Sequence, residues 1–313
     1  MNSRFTVLAS GSSGNAALVE AGGFGLLIDC GLPPRILTSR LAEVGASWTS
    51  INAVILTHTH SDHWKDHTLG DLRSRRIPLW GHPAQFDHLM TVSASFEPLY
   101  RARLTNAYQE NHPHFLCEQL SVRPIRVSHD SDPTFAFRID GRDSLGIAWS
   151  IGYASDLGCA SPELIEAFAG VDILAIEYNH DVKMERASPR PKYLVDRVLS
   201  DHGHLSNDQA AQVTNAVAAR SGEGFPSHLV QLHLSRDCNR PELASAVGRA
   251  ALASLNPKTE VITARQDIAA RSIPLKRRSD ADCRLLPRVK ATSGFPNGGQ
   301  STKVQPRLPG FDG

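Results

Sequence analysis

The chain has 313 residues, of which 41% are hydrophobic and 21% charged, and its formal net charge is +1. This is the composition of an ordinary globular protein, too near neutrality to attract nucleic acid through its overall field, so an anionic substrate would need a local site. Five cysteines without CxxC spacing argue against a disulfide framework and fit a reducing cytoplasm, and no window suits a signal peptide or a membrane helix.

In chain order, residues 5–9 read as a short strand running into Ser10-Gly11-Ser12-Ser13-Gly14-Asn15. This small, polar loop is a simple turn or a place where backbone approaches a ligand; a phosphate loop would need a GK[ST] that does not follow. A strand over 16–20, a turn at Gly22-Gly23 and a strand over 25–28 deliver Asp29 at a strand tip. There the acid either braces a neighbouring site or caps the next segment. Residues 33–44 carry Ile36, Leu37, Leu41 and Val44 on one helical stripe.

The stretch that organises the chain comes next. An apolar run of Ala53, Val54, Ile55 and Leu56 ends abruptly in Thr57-His58-Thr59-His60-Ser61-Asp62-His63, which places four metal-capable side chains within six residues. Burying four such groups without partners would be costly, so the pattern reads as a metal site. A helix over 69–76 and a strand over 77–80 continue a strand–helix–strand order of crossover units on a sheet. Residues 86–114 resist assignment, and His88, His112 and His114 read as loop residues.

Alternation returns over 120–127 and leads to Ser128-His129-Asp130. Strands over 134–139 and 145–151 follow, with Gly141 and Arg142 in the turn between them. Asp156 lies just beyond, and Ser161-Pro162 opens a helix. A strand over 171–176 ends in Glu177-Tyr178-Asn179-His180-Asp181. Then comes a basic loop with Lys183, Arg186, Arg190, Lys192 and Arg197, which either contacts phosphates or is simply solvated. Asp201-His202-Gly203-His204 precedes a helix over 208–219, with Ser206 and Gln209 as a capping box. The last expected strand, 229–232, ends in His233, and a helix spans 241–255. Beyond Lys276 apolar periodicity is lost, which predicts a domain over 1–275 and a disordered tail over 276–313. In that tail Gln305, Leu308 and Phe311 loosely resemble the short peptides that dock on bacterial sliding clamps, apolar anchors suited to coupled binding.

His58, His129, Asp156, Glu177 and His233 thus share a placement just after apolar strands. In α/β sheets such tips gather at one edge, so these residues can converge. The HxHxDH run of His58-Thr59-His60-Ser61-Asp62-His63 resembles the signature of the metallo-β-lactamase superfamily, and the likeness covers about residues 5–255. The resemblance implies an α/β fold, a four-layer αββα sandwich with two divalent metals, Zn or Mn, at its edge. His58, His60 and His129 would hold one metal; Asp62, His63 and His233 would hold the other, with Asp156 bridging.

Six motifs narrow the resemblance to the YycJ/WalJ-type branch: GSSGN at 11–15, SHD at 128–130, SDLG at 155–158, NHDV at 179–182, GHLSN at 203–207 and HLS at 233–235. That branch is associated with DNA exonuclease activity and is similar to ribonuclease Z enzymes, in which a Glu–His pair assists proton transfer. Glu177 and His204 match that pair, and with Asp62 they are the residues the resemblance assigns to the chemistry. It implies a bridging hydroxide attacking phosphorus in line while His204, oriented by Glu177, protonates the leaving group. Tyr178 departs from the branch, where a small residue is expected, and leaves the leaving-group side open. His180 and His202 each read as an extra ligand, a phosphate contact or neither. The alternative is a hydrolase of a small cyclic phosphate, thioester or lactone on the same fold, which would need neither the pair nor the basic loop.

Overall fold

Most strands of the chain are apolar on both faces, and each face enters a different core. Successive side chains point to opposite sides of a strand, so Phe5 and Val7 enter one core and Leu8 another, while Leu26 and Ile28 part from Leu27 in the same way. The computed structural model describes residues 3–275 apart from 132, 143–145 and 147. The expected tail and its 305–311 segment lie outside the described residues.

The first half of the chain runs β1 (Arg4–Ala9), β2 (Ala16–Ala21), β3 (Phe24–Ile28), α1 (Pro34–Glu43), β4 (Ala53–Ile55) and α2 (Asp66–Arg75). It continues with β5 (Leu79–Gly81), α3 (Pro83–Val92), α4 (Phe96–Arg101) and β6 (Thr105–Ala107). The second half runs β7 (His114–Cys117), β8 (Leu120–Val127), β9 (Thr134–Arg142), β10 (Ala148–Ala154), α5 (Pro162–Phe168) and β11 (Ile173–Glu177). Then come α6 (Val182–Arg186), α7 (Lys192–Val198), α8 (Asn207–Arg220), β12 (His228–Leu232), α9 (Pro241–Leu252), β13 (Glu260–Thr263) and β14 (Ile273–Pro274). One seven-stranded sheet has the order β14-β1-β2-β3-β4-β5-β6 and the other β13-β12-β11-β10-β9-β8-β7. Both are mixed: β3 to β6 and β10 to β13 pair in parallel, and the remaining pairs are antiparallel.

Between the sheets lie Phe5, Tyr108, Phe137, Trp149 and Tyr153. Leu37 and Leu41 of α1, Leu69 and Leu72 of α2 and Phe96 of α4 pack on the outer face of the first sheet. Phe168 of α5, Val217 of α8 and Leu252 of α9 cover the second. Each such large side chain contributes about 1.5–3 kcal/mol on full burial, and the result is the expected helix–sheet–sheet–helix sandwich. The caps are as read: Ser161 Oγ accepts from Leu164 N at 3.2 Å, and Ser206 and Gln209 form the reciprocal box that starts α8.

Several local expectations are corrected. Gly141 and Arg142 are not a turn but the end of β9, paired with Trp149 and Ala148. The Trp149 ring lies 2.0 Å from where a Gly141 Cβ would stand, so the glycine serves packing between strands. The strand expected over 145–151 is observed over Ala148–Ala154, and positions 145 and 147 lie outside the described residues. Ile36 is exposed, although Leu37 and Leu41 are buried as their stripe required. Residues 86–114 belong mostly to α3, α4 and β6, with His114 opening β7. The strand ending at Leu232 is followed by β13 beside it and by β14 on β1.

Candidate metal centre

The turn after β4 is built on Asp29, at the tip of β3. Asp29 holds a left-handed φ of 60°, accepts from Thr57 N at 2.8 Å and Thr57 Oγ1 at 2.9 Å, and pairs with His63 Nδ1 at 2.7 Å. It therefore braces the motif, which resolves its open reading. With the Thr57 hydroxyl proton given to Asp29, the same oxygen accepts from His58 Nδ1 at 3.0 Å. His58 Nε2 is then left as a lone pair, fully buried and without a hydrogen-bond partner among the described residues.

His60 and His129 complete the first group. His129 Nδ1 donates to the Gly203 carbonyl at 2.8 Å, and its Nε2 lies 3.3 Å from His60 Nδ1. Asp130 Oδ1 sits 3.3 Å from His60 Nε2, and the other oxygen of Asp130 pairs with Arg197. The second group gathers Asp62, His63 and His233: Asp62 Oδ2 is 3.6 Å from His63 Nε2 and 3.5 Å from His233 Nε2. Asp156 stands between the groups, 3.1 Å from His63 Nε2, 3.2 Å from His233 Nδ1 and 3.9 Å from His129 Nε2. Glu177 Oε1 meets His204 Nδ1 at 2.8 Å and His233 Nδ1 at 2.9 Å, while its Oε2 accepts from Leu157 N and Leu205 N, both at 3.1 Å. The His204 ring lies 5.0 Å from that of His129 and 5.2 Å from that of His233, centroid to centroid.

Electrostatics separate the two groups. Burial pushes the pKa of His58, His60 and His129 down, which favours the neutral form in which imidazole binds a metal. Burial also opposes charge on His63, but Asp29, Asp156 and Asp62 outweigh it and push the pKa up to about 10. His233 rises for the same reason: burial is outweighed by Asp156, Asp62 and Glu177. Burial likewise disfavours ionised Asp156 and Glu177, yet the surrounding histidines hold both carboxyls below their ordinary values. His204 is raised because Glu177 overcomes burial.

Every residue expected at the site is thus brought to one edge, from the tips of β4, β8, β10, β11 and β12 and the loop before α8. Four sets of donor atoms drawn from them, His58/His60/His129, His58/His63/Asp156, Asp62/His63/His233 and Asp156/Glu177/His204/His233, each have their members within 4.8 Å of one another, close enough to hold an ion. The orphaned His58 Nε2 and an all-nitrogen-and-oxygen donor set fit a divalent cation. His180 and His202 join none of these groups among the described residues; His180 is buried, and His202 Nδ1 meets Ser128 Oγ at 2.9 Å. His114 packs against Trp80 away from the cluster. In the basic segment Arg190 pairs with Glu185 and Asp237, Lys192 with Asp196, and Arg197 with Asp130. Tyr178 turns away into the core, its hydroxyl 2.9 Å from Thr214 Oγ1 of α8.

Asn15 and Asp130 were not singled out from the sequence, although each lies in a quoted motif at a strand tip. Cys30, one residue after Asp29, is buried, and burial together with Asp29 pushes its thiol pKa up; its backbone N donates to the His63 carbonyl at 2.9 Å. The four cysteines among the described residues are free thiols. No helix among them is long and apolar enough to cross a membrane.

A sandwich of this order carrying histidine and aspartate clusters at its edge is the architecture of a metal-dependent hydrolase. Residues 25–228 match the family model described as Beta-lactamase superfamily domain, and the chain belongs to that superfamily. It is 29% identical over 248 residues to Exodeoxyribonuclease WalJ of Streptococcus pneumoniae serotype 2 (strain D39 / NCTC 7466), spanning 77% of this chain and 85% of the relative. It is 36% identical over 252 residues to ribonuclease Z of Mycolicibacterium gilvum (strain PYR-GCK), spanning 70% and 81%. The crystal structure of the metallo-beta-lactamase fold protein YhfI from Bacillus subtilis superposes with a TM-score of 0.61 at 18% identity, covering 86% of this chain and 99% of that one. The likeness to WalJ supports the WalJ/YycJ branch that the sequence motifs indicate, and the likeness to YhfI shows the fold.

Proposed function

We propose that the chain is a DNA exonuclease, a phosphodiesterase working with two divalent cations, Zn²⁺ or Mn²⁺, whose catalytic unit is residues 1–275. The observation that carries this reading is the Glu177–His204 pair at 2.8 Å, set between the two donor groups. The similarity to WalJ and to ribonuclease Z supports a nucleic-acid substrate, and the WalJ likeness favours DNA. His58, His60 and His129 would hold one cation and Asp62, His63 and His233 the other, with Asp156 shared. Cations held there would polarise the phosphodiester and lower the pKa of a water.

The chain's own residues do the rest. Glu177 fixes the His204 ring through Nδ1 and favours its protonated form, so Nε2 is the atom that hands a proton to the departing alkoxide. General acid help of this kind is worth about 10²–10⁴-fold. The His204 side chain is 12% exposed, enough for a leaving group to reach it, whereas Glu177 is sealed from solvent and keeps its charge for orientation. Asp62 and Asp156 would supply negative charge to offset that of bound cations. Beside His129 lies an open cleft of about 560 Å³, lined by Asn111, Arg126, Ser128 and His202 and also by Glu110 and Glu163.

The test is a cleavage assay on 5′- and 3′-labelled single- and double-stranded DNA, using metal-stripped protein with Mn²⁺ or Zn²⁺ restored and His60→Ala as control. Cleavage that returns with metal and is absent in the variant is expected, and the labels give its direction. Bound metal with no cleavage of any strand would overturn the reading and turn attention to small phosphodiesters and thioesters.

A further inference from the structure

The Ser10–Asn15 loop remains without a role in this chemistry, although its contacts are unusually one-sided. Asn15 is fully buried, and its Nδ2 lies 3.2 Å from Asp62 Oδ2 and 3.0 Å from His63 Nε2. Its backbone N donates to the Asp62 carbonyl at 2.8 Å. Ser10 Oγ accepts from the backbone N of His233 at 2.8 Å, at a residue strained into a left-handed φ of 53°. The loop therefore touches all three members of the Asp62/His63/His233 group. Among the described residues no hydrogen bond joins it to His58, His60 or His129.

The loop is itself held from both sides. Asn15 Oδ1 accepts from Gly11 N at 2.9 Å and closes the turn. Gln266, after β13, accepts from Ser13 N and donates to the Gly14 carbonyl, both at 2.8 Å, and so spans more than 250 residues of sequence. Gly31 lets the layers meet, since a Cβ there would lie 1.7 Å from the Asp62 carbonyl oxygen.

The geometry points to a positioning collar: the Ser10–Asn15 loop, latched by Gln266, orients Asp62, His63 and His233 and sets the divalent-cation affinity of that group alone. The inference rests on the two-cation reading above. A primary amide at 3.2 Å from Asp62 Oδ2 holds the rotation of that carboxylate, and the tie to Ser10 fixes the backbone that aims the His233 ring. Outer contacts of this kind are worth about 10–100-fold in metal affinity.

Calorimetric titration of metal-stripped full-length protein with Mn²⁺ or Zn²⁺ reads both positions without any substrate. Wild type is expected to take up two equivalents. Asn15→Ala should bind one as wild type does and the other about 10–100-fold more weakly. Gln266→Ala should shift the same equivalent in the same direction by less, and because it grips the loop from outside it carries the test if Asn15→Ala does not fold. Two unchanged affinities in these variants, or two that fall together, would overturn the collar. A wild type that takes up a single equivalent would instead overturn the two-cation reading, and the collar with it.

Discussion

The two donor groups are built on opposite principles. His58, His60 and His129 are neutral rings steered by a hydroxyl, a backbone carbonyl and the partly exposed Asp130. Asp62, His63 and His233 sit in a buried net of charge, oriented by Asp29, Asn15 and Glu177 and held by carboxylates on several sides. The first group is steered mainly by dipoles and the second by ions. The two groups are alike in burial, so errors in the second are more costly because of its charge: an unpaired buried charge is far dearer than a bent neutral contact.

That contrast can be broken at its shared point. Asp156→Asn removes a carboxylate that stands against members of both groups, so both equivalents of metal should be lost and cleavage should fall by about 10³-fold or more, the several kcal/mol that Lewis acids supply. Metal content by elemental analysis beside initial rates checks this; a variant that retains both metals would refute the shared role.

A chemical lesion should separate from a metal lesion next. His204→Ala is expected to lower kcat about 10²–10⁴-fold with both metals still bound. Glu177→Gln should also disturb the group containing His233, because one oxygen serves both rings.

The difference between ionic and dipolar steering sharpens with the orienting acids. Asp29→Asn should weaken the His63 position about 10–100-fold, while Asp130→Asn at the half-open rim should cost the other position less than about tenfold. Competitive chelator titrations of the two variants would show it, and equal losses would erase the distinction. The smallest effect is expected at Tyr178→Phe: about 1 kcal/mol of stability in a urea melt, for one hydrogen bond to Thr214, with kcat unchanged.

The sequence was most legible where geometry is local. The His58–His63 run is short, follows a strand and turns within itself, as the His63 N to His60 carbonyl bond of 2.9 Å shows, so its spacing already encodes convergence. His129, Asp156 and His233 are single residues on separate strands. Only the parallel register of β10, β11 and β12 brings the last two together, and family resemblance had to stand in for it. Asn15 was hidden for a related reason: its partners are 47 and 48 residues away, and no local periodicity records such a bond. Gly141 looked like a turn because glycine signals one, whereas the packed Trp149 ring is what requires it. Strands β13 and β14 are four and two residues long, too short for alternation to declare them.

Cys30 gives the centre one further property. Its sulfur sits one residue from the acid that orients His63, yet it is sealed from solvent and kept as the thiol by burial and by the charge of Asp29. Thiolates, not thiols, are alkylated, oxidised and drawn to soft metals. In redox terms the cysteine is therefore a spectator, and peroxide or an alkylating reagent should leave the native fold's nitrogen-and-oxygen donor set as it was.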